Sequence, residues 1–295
     1  VMSPDAAPGA VVRARGLEEL WIHVGTACNL DCPFCLEGSR PGDDRLGRMT
    51  LADVRPLVDE AVLLGARRAC FTGGEPFVAK DMVAILEYTA TRVPCLVLTN
   101  GSAAVVRRLT QIRRLAGTAH PIGFRVSLDY PDEARHDAGR GAGNFRLALQ
   151  SLRALHKAGF AISVARQVDD GEAEAAADAR FGTLLAGEGL PAGIPVIAWP
   201  AYGRPGERPV PPAVAGDTDG PWGEAVGGKP LLCASTRMAV RQAGRTRIYA
   251  CGLVDDDPGF DLGDSLAAAV TTPVRLTHHR CYSCTRYGSP VDPLE

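Results

Sequence analysis

Short apolar runs alternate with longer amphipathic ones from Leu20 onward. Leu20–Val24 reads as a strand and Leu51–Leu64 as a helix, with Thr50 placed to cap it, Pro56 early in it and Gly65 to close it. The alternation continues with strand Ala69–Thr72, helix Met82–Thr91, strand Cys95–Thr99, helix Val105–Leu115 and strand Ile122–Leu128. Helix Phe145–Ala158, ended by Gly159, then leads to strand Phe160–Ala165, helix Ala173–Ala186 and a sixth strand, Ile194–Trp199. Strands alternating with helices in this way predict an α/β fold, a parallel sheet wrapped by helices. Chemistry in such folds sits at the C-terminal ends of the strands.

The pattern breaks down at both ends. Residues 1–17 are rich in Ala, Pro and Gly and read as a lead-in to the α/β unit over 18–199. Residues 200–230, rich in Pro and Gly, read as a linker or covering loop. Residues 231–295 read as a small α+β unit. Within it Met238–Gln242 and Thr246–Ala250 flank Ala243-Gly244-Arg245 as a hairpin, and Asp264–Val270 forms a short helix capped by Asp264.

Composition narrows the function classes. Hydrophobic residues make up 46% and charged residues 22% of the 295, which excludes wholesale disorder. The net charge of -2, with no basic block, argues against nucleic-acid binding by charge. No apolar run is long enough to span a bilayer, and Val1–Gly16 lacks the apolar core of a signal peptide, so the chain reads as cytoplasmic. Nine cysteines then change the picture, because a cytosolic chain of this size has no need of disulfides.

Cys28, Cys32 and Cys35 form a C-x3-C-x2-C run on the loop after the first strand. Three thiolates at this spacing can hold three irons of a cubane cluster and leave the fourth open. A zinc site is the competing reading, but it wants four protein ligands, and the nearest further donor in sequence is His23 on the strand. Cys233, Cys251, Cys281 and Cys284 make a second set, C-x17-C followed by C-x2-C, with a structural zinc ribbon as its bland alternative. Cys70 and Cys95 stand alone in apolar strands and read first as small core residues.

The triplet, with Phe34 before its last cysteine, resembles the signature of the radical S-adenosylmethionine (SAM) superfamily. Gly73-Gly74-Glu75-Pro76 matches that family's GGEP motif, and Asn100 ends the next strand. Ser127-Leu128-Asp129, Arg140-Gly141 and Asn144-Phe145 match its further SAM-contacting region. The resemblance implies a partial (β/α)6 barrel, with Cys28, Cys32 and Cys35 holding a SAM-binding [4Fe–4S] cluster. Gly73, Gly74, Glu75, Pro76, Asn100, Ser127 and Arg140 would bind SAM, Ser127 at its ribose and Arg140 at its carboxylate. The charges agree: SAM's ammonium needs an acceptor and its carboxylate a cation. The glycines are expected to let the backbone approach the ligand, and Glu75 to act through the ligand rather than the fold.

The tail resembles a SPASM/twitch-type auxiliary cluster domain, which implies a second [4Fe–4S] cluster on Cys233, Cys251, Cys281 and Cys284. The family's chemistry starts with a 5′-deoxyadenosyl radical that takes a hydrogen atom from substrate, and it needs an external one-electron donor of flavodoxin or ferredoxin type. Two outcomes stay open. Oxidation passes an electron to the auxiliary cluster; epimerisation returns a hydrogen atom from a thiol, for which Cys251, Cys70 and Cys95 are the candidates. The single tail set resembles the epimerases and dehydrogenases of aminoglycoside and aminocyclitol biosynthesis, so a small sugar-like substrate is expected. Asp255-Asp256-Asp257 and Asp169-Asp170 are candidate contacts for its amines or hydroxyls, or else solvated turns. A peptide maturase is the alternative, disfavoured by the roughly twenty residues before the first strand, too few for a leader-binding domain. A non-enzymatic zinc- or SAM-binding module is the alternative from a different class.

Overall fold

The computed structural model describes residues 11–168, 173–199, 231–281 and 284. In chain order the elements are β1 (Val11–Val12), β2 (Glu19–His23), α1 (Leu51–Leu63), β3 (Arg68–Thr72), α2 (Met82–Thr89), β4 (Cys95–Thr99), α3 (Ala103–Arg113) and β5 (Ile122–Ser127). They continue with α4 (Glu133–Arg140), α5 (Asn144–Lys157), β6 (Ala161–Gln167), α6 (Glu174–Gly187), β7 (Val196–Trp199), β8 (Thr236–Gln242), β9 (Arg245–Tyr249), α7 (Leu266–Thr271) and β10 (Val274–Arg275).

The expected parallel α/β architecture is present. One sheet runs in the order β7-β6-β5-β4-β3-β2-β8-β9, with β7 and β9 as its two edges, so it is an open barrel wall. Neighbours from β7 through to β8 are parallel, and only β8 and β9 are antiparallel. The tail hairpin is therefore not a sheet of its own: β8 pairs with β2 and extends the wall. Its turn has Ala243 at φ 48° and Gly244 at φ 77°, the paired left-handed residues that match strand twist.

The two faces of the wall carry different residues because side chains alternate along each strand. Leu20, Ile22, Ala69, Phe71, Cys95, Val97, Phe124, Val126 and Val164 pack under the helices. Trp21, Cys70, Leu96 and Met238 occupy the other face, in one cluster with the tail residues Leu232, Leu253 and Phe260.

Most elements lie within two residues of the expected bounds. Thr50 caps α1 in a reciprocal box with Asp53. The cap of α7 is a correction: Ser265, not Asp264, accepts the Ala268 N–H. Helix α4 was not expected. Its run of Glu, Arg, His and Asp has no apolar period, and only His136 is buried. The two-residue β1–β10 pairing is too short to leave a periodic signal.

Candidate active site

The cysteine loop leaves β2 and is held against the end of β3 by backbone hydrogen bonds. Gly74 N–H donates to Gly25 O at 3.0 Å and Glu75 N–H to Ala27 O at 3.1 Å. This contact explains the two glycines. A Cβ on Gly74 would lie 2.5 Å from the carbonyl oxygens of Thr26 and Ala27, and one on Gly73 (φ +153°) 2.8 Å from that of Gly25. The glycines make room for the cysteine loop, and both also line the adjoining cavity, where close approach of a ligand was expected.

Glu75 is buried, and its carboxylate is occupied by the chain itself. It accepts from the Thr99 hydroxyl at 2.8 and 2.9 Å, the Asn100 N–H at 2.8 Å and the Phe77 N–H at 3.1 Å. The last of these caps the single turn Pro76–Val78, whose first residue is Pro76. Burial pushes the carboxyl above its usual range, against the pull of these donors. Asn100, ending β4, donates to Asn29 Oδ1 at 3.3 Å and to Cys28 Sγ at 3.8 Å, so the β4 end steadies the cysteine loop.

The β5 end supplies the other side. Ser127 lines the cavity. Asp129 accepts a two-pronged pair of hydrogen bonds from Arg140 Nε and Nη2, the second at 2.9 Å. The Arg140 guanidinium lies 5.5 Å from the centre of the Phe34 ring, inside the cysteine triplet. Gly139 abuts that ring so closely that a Cβ there would overlap Phe34 Cε1. Helix α4 thus presses onto the cysteine loop, and sequence reasoning missed this role of Gly139. Asp129 was legible only as part of its motif, not as the partner of Arg140.

Cys28, Cys32 and Cys35 are half-buried free thiols. Burial pushes Cys28 and Cys32 up to about 11 and raises Cys35; neighbouring thiols add to the shift of Cys28 and Cys32. Three soft donors on one loop, with Cys32 and Cys35 bordering open space, fit an iron–sulfur cluster with one free position. That space is a cavity of about 440 Å³. Cys32, Cys35, Gly73, Gly74, Asn100, Ser127 and Arg140 line one part of it, and Trp21, Leu98, Val168, Trp199 and Met238 give it apolar walls.

Cys233, Cys251, Cys281 and Cys284 together line a second, small and apolar pocket. Burial pushes Cys233 and Cys281 up to about 12 and raises Cys251 and Cys284. The four are free thiols on one pocket, a donor set that fits a closed cluster. Leu232 and Leu253 line both cavities and so form the wall between them.

The remaining candidates are not at the cavity. Cys95 faces the helices, and Cys70 lies level with Trp21 and Leu96 but outside the lining, so neither thiol reaches the enclosed space. The acidic run is likewise used internally. Asp255 is buried beside His23 and Glu37, Asp256 pairs with Arg280 at 3.2 Å, and Asp257 caps the turn Pro258–Phe260. Asp169-Asp170 lies outside the described residues. Among the described residues, no helix is long and apolar enough to cross a membrane.

The family model of the Radical SAM superfamily matches residues 22–172, just over half of the chain. The mycofactocin maturase MftC of Mycolicibacterium smegmatis is 32% identical over 166 residues, covering 54% of this chain and 41% of that protein. The GTP 3',8-cyclase of Tolumonas auensis is 31% identical over 151 residues, covering 50% and 43%. The chain thus spans less than half the length of these curated relatives. Among solved structures, native anSMEcpe with bound AdoMet matches 86% of this chain and 81% of its own at TM-score 0.61 and 13% identity. Streptococcus suis SuiB bound to S-adenosylmethionine matches 63% and 41% at TM-score 0.51 and 16% identity. At these identities the two structures speak for the fold alone.

Proposed function

The chain belongs to the radical SAM superfamily, and from that membership we propose that it is a SAM-dependent oxidoreductase with two [4Fe–4S] clusters. Cys28, Cys32 and Cys35 hold the first, and Cys233, Cys251, Cys281 and Cys284 the second. With these groups bound and an external one-electron donor of flavodoxin or ferredoxin type, SAM would be reduced to methionine and a 5′-deoxyadenosyl radical able to take a hydrogen atom from a substrate carbon, and the substrate radical would lose a proton to solvent and an electron to the tail cluster.

The chain's own residues do the rest. Arg140, oriented by Asp129, offers its remaining donors to the SAM carboxylate. Ser127, on the cavity lining, would serve the ribose. Glu75 has its acceptor capacity filled by Thr99, Asn100 and Phe77, so it shapes the strand ends around the SAM ammonium rather than binding it alone. The Trp21, Leu98, Trp199 and Met238 walls exclude water from the substrate carbon.

The observation that carries oxidation over epimerisation is the lining of the cavity. Among the described residues its only cysteines are Cys32 and Cys35, both assigned to the cluster, and Cys251 lies with the other three tail cysteines. A thiol positioned to return a hydrogen atom is therefore lacking among the described lining residues.

The substrate reading shifts with the same observations. The acidic run offered for a polyamino sugar does not line the cavity, and the walls are largely apolar. Likeness to a maturase adds support for a peptide side chain as substrate, with the sugar or aminocyclitol as the second reading. Anaerobic iron and sulfide counting tests the clusters: about eight irons per chain support the proposal, and zinc in the tail overturns the second cluster. Turnover in deuterium oxide tests the outcome. An oxidised product without solvent deuterium supports it; deuterium at an inverted centre replaces it with epimerisation.

A further inference from the structure

Arg280 is fully buried beside Cys281, and its guanidinium spans the seam between the two cysteine sites. Nη2 donates to the carbonyl of Leu36, the residue after Cys35, at 3.2 Å. Nη1 donates to the carbonyl of Leu253, two residues after Cys251, at 3.0 Å and to Asp256 Oδ1 at 3.2 Å. One side chain therefore touches the chain next to a thiolate of the first site and next to two thiolates of the second. Leu253 is also part of the wall between the cavities. A second contact crosses the same seam: the His23 ring and the carboxylates of Glu37 and Asp255 meet within 4.8 Å. Glu37 follows the triplet, and Asp255 follows Cys251.

We infer that Arg280 is a positioning residue that ties the two cysteine sites into one unit, fixing the Cys35 loop against the Leu253 wall through hydrogen bonds to both. The inference rests on the first site holding a cluster. Hydrogen bonds and charge around cluster ligands set both their geometry and their reduction potential. A guanidinium supplies several donors in a fixed fork, which a lysine cannot reproduce.

The test uses the reconstituted full chain and EPR-monitored redox titration. The triplet signal is the one that disappears in the Cys28→Ala/Cys32→Ala/Cys35→Ala variant. In Arg280→Met that signal should change shape, its midpoint potential should move negative, and turnover should fall about tenfold. Arg280→Lys should restore the potential more than the turnover, because it keeps the charge and loses the fork. Asp256→Asn takes a charged acceptor from the guanidinium without emptying its site; it should change the shape of the triplet signal by less and, because it removes a negative charge, should not move the potential negative, which keeps the test alive if Arg280→Met does not fold. A triplet signal and potential identical to wild type in a folded Arg280→Met overturns the inference, and so does a triplet signal of unchanged shape in Asp256→Asn. Failure of the tail assignment is told apart from this: a wild-type chain with zinc in the tail lacks the second EPR signal, yet its triplet signal still reports on Arg280.

Discussion

The two cysteine sites use the same sulfur ligand in opposite surroundings. Cys28, Cys32 and Cys35 are half-buried, and two of them line a cavity of about 440 Å³ together with Asn100, Ser127, Asp129 and Arg140. The tail cysteines line a small pocket walled by Leu231, Leu253, Val254, Phe260 and Val274. The first setting leaves space and polar partners for an added ligand; the second offers four cysteine sulfurs around a small apolar pocket. Under the proposed function, the space and polarity next to the sulfur separate the site that receives SAM from the one that accepts an electron.

The sharpest way to break the comparison is to remove the open site. Changing Cys28, Cys32 and Cys35 to Ala should abolish deoxyadenosine formation and leave about four irons in the tail, because the two sets share no ligand. Deoxyadenosine still formed by that variant would sink the assignment. Removing one ligand of the closed site should act differently. Cys251→Ala is expected to reduce iron from about eight to about four per chain while SAM cleavage continues without oxidised product. Iron retained at the wild-type level, with only product lost, would make Cys251 a hydrogen donor instead.

The contrast was partly legible in the sequence. The triplet, the glycine pair and Ser127 stand at strand ends, where periodicity alone locates them, and the tail spacing brought four cysteines to one pocket. What the sequence did not reveal depends on contacts between distant segments. Helix α4 has no apolar stripe, since it packs through buried His136 and through Gly139 against Phe34. The pairing of β8 with β2 joins strands over two hundred residues apart, and nothing local records it. Glu75 reads as a ligand contact and Asp255 as a substrate contact or a solvated turn, and nothing local shows that both are buried.

Substitutions at the open site sharpen the comparison at a smaller scale. Glu75→Ala leaves the Thr99 hydroxyl and the Asn100 and Phe77 N–H groups without their acceptor. It should cost about 3 kcal/mol of stability as well as SAM affinity. Glu75→Gln keeps an acceptor oxygen and should lose less than half of that, measured by thermal or denaturant unfolding. An unchanged unfolding midpoint in Glu75→Ala would return Glu75 to a role in ligand contact alone. Gly139→Ala should push Phe34 off α4 and weaken SAM binding about tenfold, with tail iron unchanged; loss of tail iron in that variant would mean that the two sites do not respond separately.

The smallest expected effect is a pH dependence confined to the open site. His136 is buried in α4, and burial, with Arg140 nearby, lowers its pKa from the usual 6.5 to about 4, against the opposing pull of Asp129. Its Nδ1 accepts the Asp129 N–H at 3.2 Å, a bond that the protonated ring cannot keep. A histidine whose folded pKa lies below its free value contributes stability that is present above pH 6.5 and is lost as pH falls through 6.5 toward 4. The loss is at most about 3 kcal/mol. His278, at the tail and also lowered to about 4 by burial, contributes over the same window, so unfolding alone does not separate the two. SAM affinity does, because only His136 supports the Asp129 that orients Arg140. Affinity should decline between pH 6.5 and 4 in the wild type and in His278→Asn, and decline less in His136→Asn, whose side-chain oxygen can still accept the Asp129 N–H. Equal pH profiles in all three proteins would show that the Asp129–Arg140 pair holds its geometry without the histidine.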